Sequence, residues 1–252
     1  MKTAPLCIWC IEQLLPEPYF FEKLNIKCLR KFRSGGILLP VVITAGNRTC
    51  IGGSMDSRKT ITKEMIIETA AAMIEENCGI RNVTLREIAK RLGCAHTNLY
   101  NYFGGLSEIY WEVAGWILTQ LIADARLREQ REGIPEGNLF SMLSQFVDFS
   151  IDHPAWYQFL WLESLVGEPS PHVVEILQRP NTYIGDAVRS TAGVELTDGK
   201  VRQIGDIMFN YTYGEISTWV HQRSAGDSRE ALQKRIDTNL HLIYSLMLQG
   251  VK

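Results

Sequence analysis

The chain has 252 residues, of which 46% are hydrophobic and 21% charged, and its formal net charge at pH 7 is −2. This length and balance are ordinary for globular proteins that bury a sizeable core, and they argue against a largely disordered chain or a coiled-coil rod. The longest nearly apolar stretch, residues 36–46, is too short to span a bilayer, so no transmembrane helix and no membrane partner are expected.

Charge is distributed unevenly along the chain. Residues 1–54 carry 7 basic and 3 acidic side chains (net +4), residues 55–105 carry 7 and 6 (net +1), and residues 106–252 carry 12 and 19 (net −7). An acidic body joined to a more basic end is typical of a nucleic-acid-binding segment attached to a separate body, although the low charge of the middle segment makes the signal weak by itself.

Residues 1–54 differ from the rest in pattern. They contain four prolines and two glycine pairs and carry no sustained 3.6-residue repeat, so we expect a poorly ordered N-terminal extension. Met55 stands just before the first well-patterned segment, which suggests the hypothesis of an upstream start assignment. Cys7 and Cys10 have metal-ligand spacing, but no second Cys or His pair follows at a zinc-like distance, so no metal is expected. The absence of cysteines after Cys94 favours a reducing cytoplasm.

Three short helices are predicted next. Apolar residues at helical spacing predict the first over about 62–78. Thr84 and Glu87 have the spacing of a capping box, which predicts a second helix that ends at Gly93. A third follows over about 95–101. Two short helices joined by a tight glycine turn, behind a longer supporting helix, form a helix-turn-helix. Its expected inward anchors are apolar: Leu85, Ile88, Leu92 and Leu99.

This segment resembles the TetR family of transcriptional regulators. Residues 84–93 (TLREIAKRLG) resemble the family's second helix and turn, and residues 99–103 (LYNYF) resemble the end of its recognition helix. Residues 68–74 (ETAAAMI) resemble its first helix. The resemblance implies a set of DNA-binding residues: Thr84, Arg86, His96, Thr97, Asn98, Tyr100, Asn101 and Tyr102.

Some of these positions have simpler interpretations. Thr84 could act only as a helix cap, Arg86 could be a solvated surface charge, and Tyr100 could serve packing alone. Two positions also depart from the family pattern: Ala95 replaces the usual serine at the start of the recognition helix, and Leu106 replaces a phosphate-facing lysine. Gly105 is expected to cap the following helix, with its free amides available to a phosphate.

Residues 106–252 are predicted to be helical throughout. The expected spans are about 106–131, 136–152, 154–166, 170–192, 197–224 and 228–249, separated by glycine and proline breaks. The sequence therefore predicts an all-α protein. A three-helix helix-turn-helix domain at 55–105 would precede a helical ligand-binding and dimerisation domain at 106–252.

The body is rich in aromatic residues. Each could be plain core, but a cavity for a small-molecule effector is usually lined by such side chains with a few polar groups. Glu163 could pair with a cationic or hydroxylated ligand, although a surface position is an equal alternative. The candidate ligand-binding residues are Trp111, Phe146, Trp156, Phe159, Glu163, Tyr183 and Tyr213.

The last two predicted helices, 197–224 and 228–249, are expected to form a homodimer, as their counterparts do in the TetR family. An apolar stripe supports this interpretation, with packing inside one chain as the alternative. A dimer presents two recognition helices and so predicts a palindromic operator in double-stranded DNA. The stripe consists of Leu232, Ile236, Leu240, Ile243 and Met247.

These expectations combine into a cytoplasmic, ligand-responsive regulator of transcription, a repressor. No phosphate-binding loop, zinc-protease motif or nucleophile elbow is found, so we expect neither enzymatic activity nor a cofactor. The alternative is a helical protein-interaction module with a degenerate helix-turn-helix. Ala95, Leu106 and the low local charge keep that alternative open.

Overall fold

The first two helices of the computed structural model begin at threonine caps. The structure describes residues 61–133, 137–221 and 227–249. Helix α1 (Lys63–Glu76) starts where the Thr62 hydroxyl accepts a hydrogen bond from the Met65 amide at 3.3 Å. Helix α2 (Leu85–Leu92) starts in the same way at Thr84 and ends at Gly93, whose φ of 73° is the left-handed conformation that favours glycine. The expected N-terminal extension, with Cys7 and Cys10, lies outside the described residues.

The third element is a 3₁₀ helix (His96–Asn101) rather than an α-helical turn. Its first residue follows Ala95, which has no side-chain oxygen to cap an α-helix, and the Asn98 amide bonds to the Ala95 carbonyl at 2.9 Å in a tighter turn. Leu99 is fully buried and Phe103 nearly so, and these two side chains fix the short helix against α1 and α2.

The described part of the body contains six helices, as the sequence predicted. Within the described ranges the protein is helical with no strand, which confirms the all-α fold class. The helices are α3 (Leu106–Glu132), α4 (Leu139–Asp152), α5 (Pro154–Trp161), α6 (Pro171–Ala192), α7 (Asp198–Val220) and α8 (Arg229–Gln249).

Helix α5 is shorter than the sequence predicted, since it ends at Trp161 instead of continuing to 166. Two carbonyls beyond it are bound by side chains of α3. The Ser107 hydroxyl donates to the Val166 carbonyl, and the Trp111 indole N–H donates to the Gly167 carbonyl at 3.2 Å. These tertiary hydrogen bonds replace the helical ones, so residues 162–169 pass over the N-terminal turns of α3 in an irregular conformation.

The main core of the body lies between α4, α7 and α8. Leu232, Ile236 and Leu240 are buried in it, so these three residues of the predicted dimer stripe pack inside their own chain and that part of the prediction is wrong. The Tyr157 hydroxyl is 2.6 Å from the Ser217 hydroxyl, and burial raises the pKa of this tyrosine. In the ranges described, none of the helices combines the length and apolar character that crossing a bilayer would require.

Candidate nucleic-acid interface and ligand cavity

The outer face of the 3₁₀ helix is polar and open to solvent. Tyr100 is 54% exposed, which rules out a packing role inside the chain, and Tyr102 is half-buried. The other six predicted DNA-binding residues are all exposed: Thr84, Arg86, His96, Thr97, Asn98 and Asn101. Buried Leu99 points the opposite way, so the helix separates an anchored face from a free one.

Two arginines of α2 differ in what they contact. Arg91 bonds Glu76 through both guanidinium nitrogens, at 2.8 and 2.6 Å, and this pairing raises the pKa of Arg91 and lowers that of Glu76. No carboxylate of the described residues pairs with Arg86, which is exposed. Arg91 therefore joins α2 to α1, while the charge of Arg86 is available to a phosphate.

The capping box of α2 forms only in part. The Thr84 hydroxyl accepts from the Glu87 amide at 3.2 Å, as predicted. The Glu87 carboxylate instead lies 3.6 Å from the Lys90 ammonium. Thr84 thus has a structural role as a cap, and its methyl and hydroxyl group remain on the exposed side of the helix start.

Gly105 is the N-cap of helix α3, as predicted, but the amide of the preceding residue is occupied. The Gly104 N–H donates to the Glu108 carboxylate at 2.6 Å. The availability of the amides at Gly105 to a phosphate stays a prediction, and the Gly104 amide directly before them is occupied. Directly after the 3₁₀ helix, the Glu108 carboxylate therefore accepts the hydrogen bond that an external phosphate could otherwise accept.

A cavity of about 390 Å³ lies in the body. Helices α3, α4 and α6 form its walls, and residues 162–169, apart from Val166, form one side. Most of the lining is apolar, and the aromatic members are Trp111, Phe146, Trp161, Tyr183 and Phe209. The polar members include Gln145, Glu163, Ser164, Glu168 and Gln178. A cavity of this size with a few polar groups in an apolar wall can hold a small organic molecule.

The predicted ligand-binding residues divide into two groups. Four of them line the cavity: Trp111, Phe146, Glu163 and Tyr183. The other three are not among the described residues that line it. Trp156 donates its indole N–H to the Ala71 carbonyl at 2.9 Å, Phe159 is buried with its ring centre 5.9 Å from that of Tyr110, and the Tyr213 carbonyl lies 3.2 Å from the Tyr157 hydroxyl.

Sequence reasoning missed several cavity residues. The sequence pattern did not single out Trp161, Phe209, Gln145 or Gln178, and of residues 162–169 it indicated only Glu163. The glycine and proline at 167 and 169 signalled a break, but nothing local showed that the break would form a wall. Across the ranges that are described, no group of three or more His, Cys, Asp or Glu side chains is arranged to hold a metal ion.

Hydrogen bonds connect the cavity wall to the helix-turn-helix. The first two turns of α3 bond the wall through Ser107 and Trp111, as described above. Within the same two turns, the Tyr110 hydroxyl donates to the Val83 carbonyl at 3.0 Å, immediately before the cap of α2. Helix α3 therefore contacts both the wall and the start of α2 over a short distance.

Comparison with known proteins agrees with this arrangement. The sequence profile described as "Bacterial regulatory proteins, tetR family" matches residues 66–112. The chain is 30% identical over 148 residues to the uncharacterized HTH-type transcriptional regulator YobS of Bacillus subtilis, covering 56% of this chain and 76% of that protein. The family profile spans the helix-turn-helix and the first turns of α3.

Two solved structures share the fold. A protein of unknown function from Rhodococcus sp. RHA1 aligns with a TM-score of 0.60 at 12% identity, covering 76% of this chain and 98% of that one. A TetR variant from Acinetobacter baumannii AYE, solved in complex with minocycline, aligns with a TM-score of 0.51 at 12% identity over 75% and 98% of the two chains.

The fold and the exposed helix face define a helix-turn-helix regulator of transcription that binds DNA. The chain belongs to the TetR family.

Proposed function

We propose that the chain is a cytoplasmic, ligand-responsive repressor that binds a palindromic operator as a homodimer and has no enzymatic activity. Residues 55–105 would bind DNA, and residues 106–252 would bind the ligand and form the dimer. One observation carries the proposal: residues 162–169 line the cavity and also accept hydrogen bonds from the start of α3, the helix that follows the DNA-reading element.

The DNA contacts proposed are those of the exposed face. Thr84 and Arg86 would contact phosphates, and the 3₁₀ helix would enter the major groove. Its hydrogen-bonding side chains would contact base edges, and these are His96, Thr97, Asn98, Tyr100, Asn101 and Tyr102. Exposure of all but the half-buried Tyr102 supports this assignment.

The dimer interface proposed is the outer face of α7 and α8. Ile207 is 41% exposed, and Leu242 and Leu246 are 55% and 57% exposed, which is unusual for large apolar side chains on long helices. Gly214 lies on α7 seven residues from Ile207, and no described atom is within 4 Å of the position that a Cβ would take there. A glycine in open space lets a second helix approach closely.

The ligand would act by shifting a population. A ligand that fits the cavity better when residues 162–169 have moved would move the start of α3 through Ser107 and Trp111. Helix α3 would then displace α2 through the Tyr110 hydrogen bond to Val83. The spacing of the two recognition helices changes, and operator affinity falls by the ligand's differential affinity for the two forms, about 1–3 kcal/mol.

Selection from a random pool of DNA duplexes tests the operator. We expect enrichment of an inverted repeat whose half-sites are one helical turn or more apart, bound by two chains per duplex. Enrichment of a single unrepeated site bound by one chain would contradict the dimer, and no enrichment at all would favour the protein-interaction module.

Ser107→Ala tests the coupling on the selected duplex. This change removes the hydrogen bond to the Val166 carbonyl without touching the cavity lining. We expect a cavity ligand to bind with unchanged affinity but to release the operator less well than in the wild type, as measured by fluorescence anisotropy. Operator release at the wild-type level would contradict the proposed coupling through Ser107.

A further inference from the structure

We propose that the cavity binds a lipophilic cation, an aromatic molecule with one positive charge that is met by Glu163. The inference rests on the proposed function, since it names the ligand class of the same cavity. It is argued from three features: the charges in the wall, the aromatic rings around them, and the engagement of the neighbouring basic groups.

The charged lining of the cavity is acidic. Glu163 and Glu168 line it, and no Lys, Arg or His is among the described residues that do so. Glu129 adds a third carboxylate close to the wall: it is 2% exposed, one oxygen lies 3.5 Å from the hydroxyl of the lining residue Tyr183, and the other has no hydrogen-bond partner among the described residues. An anionic ligand would meet only like charge here, which is unfavourable in a poorly hydrated site.

Glu163 differs from several carboxylates of the body that are held by a neighbouring side chain. Asp148 bonds Arg128 at 2.8 Å, Glu215 bonds Arg235 at 3.0 Å, and the Glu112 carboxylate accepts from the Ser170 hydroxyl at 3.0 Å. The Glu163 carboxylate has no hydrogen bond or ion pair with the described residues, although burial raises the pKa of Tyr110 and the Glu163 charge adds to this rise. The Glu163 amide donates to the Gln158 carbonyl at 3.0 Å. That bond fixes the backbone while the half-buried carboxylate stays available to a ligand.

Two arginines lie beside wall residues, Arg128 beside Gln145 and Arg126 beside Tyr183. The Arg128 guanidinium bonds Asp148 and also Glu132, the latter at 2.9 Å. The Arg126 guanidinium lies 5.7 Å from the centre of the Tyr183 ring. Neither lines the cavity. The charge of Arg128 is offset by its two carboxylates, and Arg126 is exposed, so solvent and salt screen its charge. The second contact also shows that a ring of this wall accepts a cation on its face.

The aromatic rings provide the apolar part of the site. The ring of Phe146 lies 5.0 Å from that of Trp161 and 5.3 Å from that of Phe209, centre to centre. Such rings bury the hydrocarbon body of a ligand, and their faces attract a positive charge. The volume of about 390 Å³ suits an organic molecule rather than a metal ion.

Calorimetric titration with probes of matched shape tests this class directly. Tetraphenylphosphonium and tetraphenylborate have nearly the same shape and opposite charge, and 1-ethylquinolinium and 1-ethylnaphthalene form a smaller pair of a cation and a neutral molecule. We expect the cation of each pair to bind about tenfold more tightly than its counterpart, and Glu163→Gln to weaken cation binding by about tenfold without changing the counterpart.

Glu175→Gln is the matched control. Glu175 is an exposed carboxylate on α6 outside the cavity lining, 3.4 Å from Arg179, and its replacement should leave cation binding unchanged. Preference for the anion or the neutral probe, cation binding that is insensitive to Glu163→Gln, or binding of neither cation would overturn the ligand class.

Operator release, measured separately, distinguishes the two proposals. A cation that binds through Glu163 but leaves operator affinity unchanged supports the ligand class and contradicts the ligand-responsive repressor. A neutral or anionic probe that binds the cavity and releases the operator would support the ligand-responsive repressor and contradict the ligand class.

Discussion

The helix-turn-helix and the body that holds the cavity are built by different kinds of contact. The short 3₁₀ helix is held in place by the fully buried side chain of Leu99 and the nearly buried one of Phe103. Helix α2, directly before it, begins at the Thr84 cap and ends at Gly93, and both of these signals are local. The cavity depends instead on helices far apart in the chain, and one of its walls is an irregular segment bonded to α3.

This difference indicates which part of the molecule keeps one conformation and which part can repack. An element anchored by full burial keeps its polar face in one orientation, which sequence-specific contact requires. A body that leaves about 390 Å³ unfilled can repack around a ligand, because it forgoes the close packing that holds most protein interiors in one state. Helix α3 contacts both and would carry a change from one to the other.

Loss of the buried anchor should have the largest effect. Leu99→Ala leaves a cavity beneath the 3₁₀ helix and should lower the free energy of unfolding by about 2–5 kcal/mol, with loss of operator binding. Tyr100→Ala, at the next and exposed position, should weaken operator binding while changing stability by no more than about 0.5 kcal/mol. Denaturant unfolding and anisotropy titrations measure both. Equal stability losses in the two variants would mean that the two faces are not distinct.

Filling the open space at Gly214 should separate the subunits. A Cβ at Gly214 meets no described atom within 4 Å, so each subunit of Gly214→Ala and Gly214→Leu should remain folded, with a gain for alanine of up to about 1 kcal/mol from helix propensity. In a dimer packed on this face, the dissociation constant should rise with side-chain size, and operator affinity should fall with it. Sedimentation velocity compares the series. A dissociation constant that is indifferent to side-chain size would place the dimer interface elsewhere.

The two arginines of α2 should differ in the salt dependence of binding. Arg86→Ala should weaken operator binding and lower the slope of log affinity against log salt by about 2, since each subunit of a dimer loses one phosphate contact. Arg91→Ala breaks an exposed ion pair with Glu76 and should cost stability of at most about 1 kcal/mol with a smaller change in slope. Identical slopes for both variants would remove Arg86 from the interface.

Neutralising the carboxylate at the start of α3 should have the smallest effect, and in the opposite direction. Glu108→Gln removes a negative charge that contacts the Gly104 amide, so operator affinity should rise about two- to fivefold at low salt. Glu175→Gln on α6 serves as the control and should change nothing. Unchanged or weaker binding by Glu108→Gln would show that the start of α3 does not face the duplex.

The sequence predicted the DNA-reading end well because its signals are local. Thr84 and Gly93 fix the ends of α2 through bonds to residues three or four positions away, and Ala95 correctly indicated a missing cap. The 3₁₀ geometry of residues 96–101 was not predicted, although it accompanies that missing cap through the tighter turn from the Asn98 amide to the Ala95 carbonyl.

The cavity was predicted only in part because its residues are selected by tertiary packing. Trp111 and Trp156 are indistinguishable by residue type, yet one faces the cavity and the other donates to the Ala71 carbonyl of α1. Likewise, the apolar stripe of α8 is a valid helical pattern, but its period cannot tell whether α4 and α7 or a second subunit will cover Leu232 and Leu240.

The affinity of the protein for its selected duplex and for a scrambled duplex, each at two salt concentrations, tests the central claim most directly. An exposed polar helix face that reads DNA predicts at least about 1,000-fold tighter binding to the selected duplex at physiological salt, and tightening of both as salt falls. Equal affinity for the two duplexes, or binding that does not respond to salt, would contradict the account.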